Sequence, residues 1–332
     1  MQMAYLNRLT SLTDYSTSEG IMNQMTEIAN LRFPSTRKDT NYDVEFDPTT
    51  GTIWGFFNPK GTPNFSLGLL ADIRAHDSAL EKNHGTVQFA GDMVPASYYV
   101  AASKIPGIYN LGGDLGLFML LIKTRDRQAL LNYGRLCIDN IFPRINNYFC
   151  PTLTTISLVQ GDALGGGFET ALASDVLISE ESATLGLPEI LFNLFPGMGA
   201  YNLLARRIGM QAAEKLILSG ELFSAKKLHE MGVIDVLAPD GQGENVTHEW
   251  IRKNQKRRNG FQAVQQARKA VQPITREQLD QIVELWVDAA LRLDEKDIKM
   301  MHRIVRSQSR RIQNEQGGNA EPMQTSAFAA SA

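Results

Sequence analysis

The chain has 332 residues, 43% of them hydrophobic and 21% charged, enough to bury a full core as one large domain or a domain with an appendage. Its longest apolar run, 115–122, is too short to span a bilayer, and the start Met1-Gln2-Met3-Ala4-Tyr5 lacks the apolar core of a secretory signal, so a cytoplasmic protein is expected. Net charge is −3 but uneven: between 251 and 312 fifteen Lys or Arg face seven Asp or Glu, which leaves +8 there and about −11 elsewhere.

Taken in chain order, residues 1–38 are polar, with a weak helical signal near 21–31, and read as a loose arm. Alternating stretches at 42–47 and 52–57 flank Asp47-Pro48-Thr49-Thr50-Gly51 and predict a hairpin. A loop from Asn58 leads to a helix over 66–79. Short strands follow over 86–90 and 107–111, the second ending at Gly112-Gly113-Asp114. The spacing of Leu117, Leu120, Leu121, Leu130, Leu131 and Ile138 predicts helix from 115 to about 145. An apolar strand over 153–159 then runs into Gly165-Gly166-Gly167 and a helix. A further strand is expected at 175–179, and 183–189 is extended because the residue before Pro188 avoids helix. Helices at 198–208, 212–218 and 225–231 precede a last strand at 233–237. Beyond Gly243 the pattern is helical, with Leu279, Val283, Trp286, Ala290, Met301 and Ile304 on one apolar face. This divides the chain into an arm (1–38), a core (39–243), a helical region for oligomerisation or a lid (244–315) and a small, polar, disordered tail (316–332). Strands often come two to a helix, which argues against a simple doubly wound sheet.

The triple glycine carries the chemistry. A turn without side chains lets a ligand lie against bare backbone, and the first N–H groups of the following helix are unpaired, so an oxyanion can be held there. Glu169 stands two residues on and Glu189 twenty further, and a pair of carboxylates can move protons. A thioester α-proton is too weakly acidic for a carboxylate unless the enolate oxygen is stabilised as it forms. Hydroxide is a poor leaving group and needs a second acid. Two carboxyl groups and one oxyanion hole therefore make a minimal dehydratase, and the pattern points to an enzyme acting on a thioester. Either glutamate alone has a plainer reading, as a helix-dipole partner or a surface charge.

Other motifs fail. Gly197-Met198-Gly199 lacks the third glycine of a dinucleotide fingerprint, and no Walker loop, nucleophile elbow or His-Glu-x-x-His occurs. The histidines at 76, 84, 229, 248 and 302 have no ligand spacing, so no metal and no cofactor is expected. Cys137 and Cys150 read as free thiols. Phe261 is the one aromatic near Lys253, Lys256, Arg257 and Arg258, which argues against nucleic acid; a solvated helix face or a dock for an acidic partner remain.

Asn58-Pro59, Tyr109-Asn110-Leu111-Gly112-Gly113-Asp114, the segment 161–169, Leu187-Pro188-Glu189 and the segment 218–225 occur in the order of the crotonase (enoyl-CoA hydratase/isomerase) superfamily, which the chain resembles over roughly 42–240. Within it the sequence looks most like the bacterial diffusible-signal-factor synthases, makers of cis-2-unsaturated fatty acids. The resemblance implies an α/β fold, the crotonase (ClpP-like) spiral of ββα repeats with a C-terminal helical region, and trimers often paired as hexamers. By the same resemblance Gly113 and Gly166 supply the oxyanion-hole N–H groups, Glu189 exchanges the Cα proton, and Glu169 handles the water or hydroxyl at Cβ. Leu111, Leu164 and Trp286 would contact the acyl chain, Trp286 from a roofing helix, though it reads equally as core. The implied reaction is dehydration of a 3-hydroxyacyl thioester of acyl carrier protein or coenzyme A, then hydrolysis to the free acid. Cys150-Pro151 and Gln160-Gly161 stand where many hydratases have Lys-Pro and Asn-Gly, which weakens the nucleotide contacts and favours a carrier-protein donor. An ordinary enoyl-CoA hydratase and a crotonase-fold protein that restrains a sensor kinase are the alternatives.

Overall fold

The computed structural model describes residues 40–316; the expected arm and tail lie outside the described residues. Strands β1 (Tyr42–Asp47) and β2 (Thr52–Phe57) form the predicted antiparallel hairpin, Tyr42 opposite Phe57. Its turn is closed by the Asp47 carboxylate, which accepts from the Thr49 N–H and the Thr50 hydroxyl at 2.8 and 2.6 Å. Helix α1 (Leu67–Lys82) follows, its N-cap Ser66 accepting from the Leu69 N–H. Strands β3 (Thr86–Phe89) and β4 (Asp92–Pro95) pair only with each other.

A repeating pattern then sets in. Strands β5 (Tyr98–Ser103) and β6 (Ile108–Asn110) precede α2 (Leu115–Lys123) and α3 (Arg127–Ile145). Strands β7 (Thr154–Val159) and β8 (Asp162–Leu164) precede α4 (Gly166–Leu172). Strands β9 (Val176–Glu180) and β10 (Thr184–Gly186) precede α5 (Ala200–Ile208) and α6 (Met210–Ser219). The first strand of each pair joins one sheet, of order β1-β2-β5-β7-β9-β12, parallel from β2 onward; β12 is Val236–Ala238. The second joins another, β11-β10-β8-β6, closed by the antiparallel β11 (Leu222–Ser224), with α7 (Ala225–Glu230) after it. This is the spiral of strand–strand–helix turns. Helices α8 (Gly243–Gln255), α9 (Arg258–Val271), α10 (Arg276–Ala290) and α11 (Glu295–Gln316) complete the chain.

The six-stranded sheet is covered on both faces, so its parallel strands carry apolar residues on both sides. Ile53, Phe57, Tyr99, Val159 and Leu177 face the main core. Trp54, Phe56, Tyr98, Val100, Ile156 and Leu158 face the other way, where Ile251 and Trp250 of α8 and Phe261 of α9 pack on them.

Several sequence expectations change. The helix expected over 115–145 is two, because Arg125 adopts φ 54° and Asp126 caps a new helix by accepting from the Ala129 N–H. Pro143 sits inside α3 without an N–H for the Asp139 carbonyl, and the Arg74 guanidinium donates to that carbonyl at 3.1 Å instead. Strand β5 has no counterpart among the predicted elements although it lies mid-sheet; its signal was the run Tyr98-Tyr99-Val100, which shows no alternation because both faces are buried. The stretch 183–189 is extended only through β10, and a 3₁₀ turn over Pro188–Phe192 carries Glu189. Helix α5 begins at Ala200 rather than 198, since the preceding Gly199 has φ 98°.

Candidate active site

Glu169 and Glu189 are brought together by the glycine turn. Strand β8 is followed by Gly165, whose φ of 51° and ψ of −124° suit glycine and whose N–H donates to the Gly186 carbonyl of β10. A β-carbon there would lie 2.5 Å from Glu189 Oε1, and one on Gly167 would lie 2.1 Å from the Asn110 carbonyl oxygen. The missing side chains thus let α4 start against β6 and let Glu189 reach across β8 and β10.

Glu169 is buried, and its Oε1 accepts the backbone N–H groups of Met198 and Ala200 at 2.8 and 2.9 Å. Ala200 is the first residue of α5 and Met198 lies just before it, so the carboxylate also anchors the start of that helix. Burial raises its pKa to about 7 against the opposing pull of the two N–H groups. Glu189 is half-buried as a residue, but its Oε2 is sealed from solvent and lacks a partner among the described residues. Burial and then the charge of Glu169 raise it to about 8. Two carboxyl groups that titrate near neutrality in one site are suited to give and take protons at working pH.

Both glutamates line one cavity together with Gly113 and Gly166. Gly166 is the first residue of α4, where an N–H has no intrahelical acceptor. Gly113 lies beside Phe65, whose N–H bonds the Gly112 carbonyl at 2.7 Å. The loop carrying Gly113 is held by Tyr133, whose hydroxyl donates to the Phe65 carbonyl and accepts from the Asp114 N–H at 3.2 Å. The Phe118 ring fills the space a Gly113 side chain would need.

Val283 and Trp286 of α10 and Ile304 and Gln308 of α11 also line the cavity, and Gln308 Nε2 donates to the Leu111 carbonyl at 3.3 Å. Trp286 is 6% exposed and meets Phe118 edge-on at 4.9 Å, so it is at once core and cavity wall. Leu111 lines the cavity, whereas Leu164 packs in a small cluster with Ile108 and Leu111 and is not among the lining residues. Cys137 is a buried free thiol on the cavity wall that burial holds far above the usual thiol range, and Cys150 is free and half-buried. Sequence reasoning missed Tyr133, Gln308 and the Met198 and Ala200 donors. No motif marks them; their positions follow from the packing of α3, α5 and α11.

A sequence profile described as Enoyl-CoA hydratase/isomerase matches residues 138–305, half of the chain. The chain belongs to the enoyl-CoA hydratase/isomerase family. Among curated members, human mitochondrial methylglutaconyl-CoA hydratase is 34% identical over 146 residues, 44% of this chain and 41% of that protein. The fatty acid oxidation complex subunit alpha of Vibrio cholerae is 34% identical over 136 residues, 40% of this chain but 18% of its own length. The matched stretch thus spans less than half of these relatives. Among solved structures, an enoyl-CoA hydratase from Bacillus halodurans superposes with a TM-score of 0.66 at 17% identity, covering 80% of this chain and all of that one. DspI of Pseudomonas aeruginosa superposes with a TM-score of 0.59 at 20% identity, covering 73% and 91%. At these identities the superpositions speak for the family fold. Among the described residues no helix is long and apolar enough to cross a membrane.

Proposed function

We propose that the protein is a signal-forming member of the family: it dehydrates a 3-hydroxyacyl thioester to the cis-2-enoyl thioester and hydrolyses that to the free cis-2-unsaturated fatty acid. The observation that carries the chemistry is the sealed, unpartnered Oε2 of Glu189 in one cavity with Glu169 and two glycine N–H groups. The sequence resemblance to the signal synthases supports the cis product and the second step. In the first step Glu189 takes the Cα proton while charge collects on the thioester oxygen between the N–H groups of Gly113 and Gly166. Protonated Glu169 then gives its proton to the departing Cβ hydroxyl, which leaves as water. In the second, a water activated by a glutamate attacks the carbonyl in the same hole, and the thiol of the carrier leaves.

Burial raises both carboxyl groups toward neutrality and the charge of Glu169 raises Glu189 further, so the pair can hold one proton, and hydration of a double bond needs it on Glu189. Dehydration needs that proton on Glu169. Neighbouring carboxyl groups that share a proton in one cavity can exchange it. The site therefore suits both directions. The donor is an acyl carrier protein or coenzyme A thioester, the working unit a homo-oligomer of the family type. A second reading, hydration of trans-2-enoyl-CoA in fatty-acid breakdown, is favoured by the names of the curated relatives. Mass spectrometry of products from 3-hydroxydodecanoyl carrier protein separates the two. Free cis-2-dodecenoic acid that vanishes with Glu189→Ala is expected; hydration of trans-2-enoyl-CoA without free acid overturns the signal reading.

A further inference from the structure

Part of the basic excess in the C-terminal region converges with core arginines on a recess separate from the acyl cavity. This recess lies at the C-terminal end of α4 between α5 and α9 and is lined by Arg206, Arg207, Arg268, Lys269 and Asp175. The acyl cavity opens at the other end of α4.

The carboxylates at hand are already engaged. Asp175 pairs through Oδ1 with Lys269 at 3.0 Å and Arg268 at 3.6 Å, while its Oδ2 accepts from the Thr155 N–H and the Asn147 side-chain amide. Asp235 pairs with Arg207 at 3.0 Å and accepts the Leu177 N–H. Arg207 spends its other N–H groups on the carbonyls of Val233 and Ser174. Four cations thus share two carboxylates. The Nε–H groups of Arg206 and Arg268 are sealed from solvent with no acceptor among the described residues, and Arg206 reaches only the Gln272 carbonyl through Nη2. A buried, charged donor left without an acceptor is costly.

The electrostatics agree. Burial and then the neighbouring Arg268 push the Arg206 guanidinium down to about 10. Burial and then Arg207 depress Arg268, and burial lowers Lys269 although Asp175 opposes it. One negative charge among them relieves all three.

We propose that this recess binds a phosphate-type oxyanion, taken as free phosphate or as the phosphate of a nucleotide. Planar guanidinium donors match tetrahedral oxyanions, and an excess of two positive charges matches a dianion at neutral pH. The inference does not depend on the acyl chemistry.

The test titrates the full chain in phosphate-free buffer with sodium phosphate, against sodium chloride at equal ionic strength, by calorimetry and thermal melting. One phosphate per chain is expected, with a rise in Tm of about 3 °C at ten times Kd. Arg206→Gln and, separately, Arg268→Gln should each weaken binding at least about tenfold, the loss of roughly one charge-assisted hydrogen bond. Arg206→Gln should also melt no lower than the parent without phosphate, because the residue removed is a desolvated cation without a carboxylate. Adenosine 3′,5′-bisphosphate, run in parallel, distinguishes the sources: tighter binding that both variants abolish assigns a nucleotide, and equal affinity assigns free phosphate. A parent that responds to neither probe, or variants that respond as the parent does, overturns the site.

Discussion

Glu169 illustrates how one side chain serves structure and chemistry together. Its carboxylate accepts the N–H groups of Met198, just before α5, and of Ala200, its first residue, yet burial raises it to about 7. Above its usual range of titration the folded chain therefore holds a proton that the unfolded chain has released. The contribution of Glu169 to stability must fall as pH climbs from about 4.5 to about 7 and then level off. Glu169→Gln keeps an oxygen for Met198 and Ala200 but removes the ionisable group. The variant is expected to match the parent near pH 5 and to exceed it by about 1–3 kcal/mol at pH 8.5, measured by urea unfolding. Its turnover should drop about 10²–10⁴-fold, the usual worth of a general acid or base. An unchanged pH dependence of stability would place the buried charge elsewhere.

At the scale of elements, the cavity depends on helices far apart in sequence. Helix α10 lies along α3, where Val283 packs so closely on Gly134 that a β-carbon on the glycine would come within 2.5 Å of it. Ion pairs Arg276–Asp139 at 2.6 Å, Arg135–Glu284 at 3.3 Å and Arg127–Asp288 at 3.0 Å line the same contact. Their side chains are partly exposed, so each contributes little and the apolar contact holds the helix. Helix α11 adds Ile304 and the Gln308 bond to Leu111. Trp286→Ala removes the wall that these helices press against Phe118. A loss of about 3–5 kcal/mol in stability is expected from the cavity it leaves, with KM for a medium-chain thioester raised more than kcat is lowered. A fall in kcat alone would mean that Trp286 acts on the reacting atoms rather than on the acyl chain.

For the whole molecule, the division of the basic segment matters most. Lys253, Lys256 and Arg257 are exposed at the C-terminal end of α8, a helix that covers the face of the six-stranded sheet turned away from the cavity. Arg258, grouped with them by sequence, donates to the Thr152 carbonyl and lies 5.9 Å from the Tyr98 ring, so it belongs to the packing of α9. Lys299, Arg303 and Arg306 are exposed on α11, beside the roof of the cavity. An acidic carrier protein is therefore expected to meet α11. Reversing Arg303 and Arg306 to Glu should lower kcat/KM for a carrier-protein thioester about tenfold at low salt, whereas reversing Lys253 and Lys256 should change it less than about twofold. The opposite ranking would move the dock across the sheet.

Local patterns in the sequence determined the hairpin, the buried strand β7 and the glycine turn, because each depends on residues close in the chain or on backbone freedom that only glycine has. Strand β5 stayed hidden because a strand buried on both faces loses its alternation, and the break at Arg125 because nothing local forbids a helix from continuing there. The tertiary structure alone decided that α8 backs the sheet while α10 and α11 roof the cavity, since all three helices show a similar amphipathic pattern. It also decided that Met198 and Ala200 hold Glu169, and that Arg206 and Arg268 meet in one recess. Burial and neighbouring charge set the protonation of such groups, and both are properties of the folded surroundings rather than of the residues themselves.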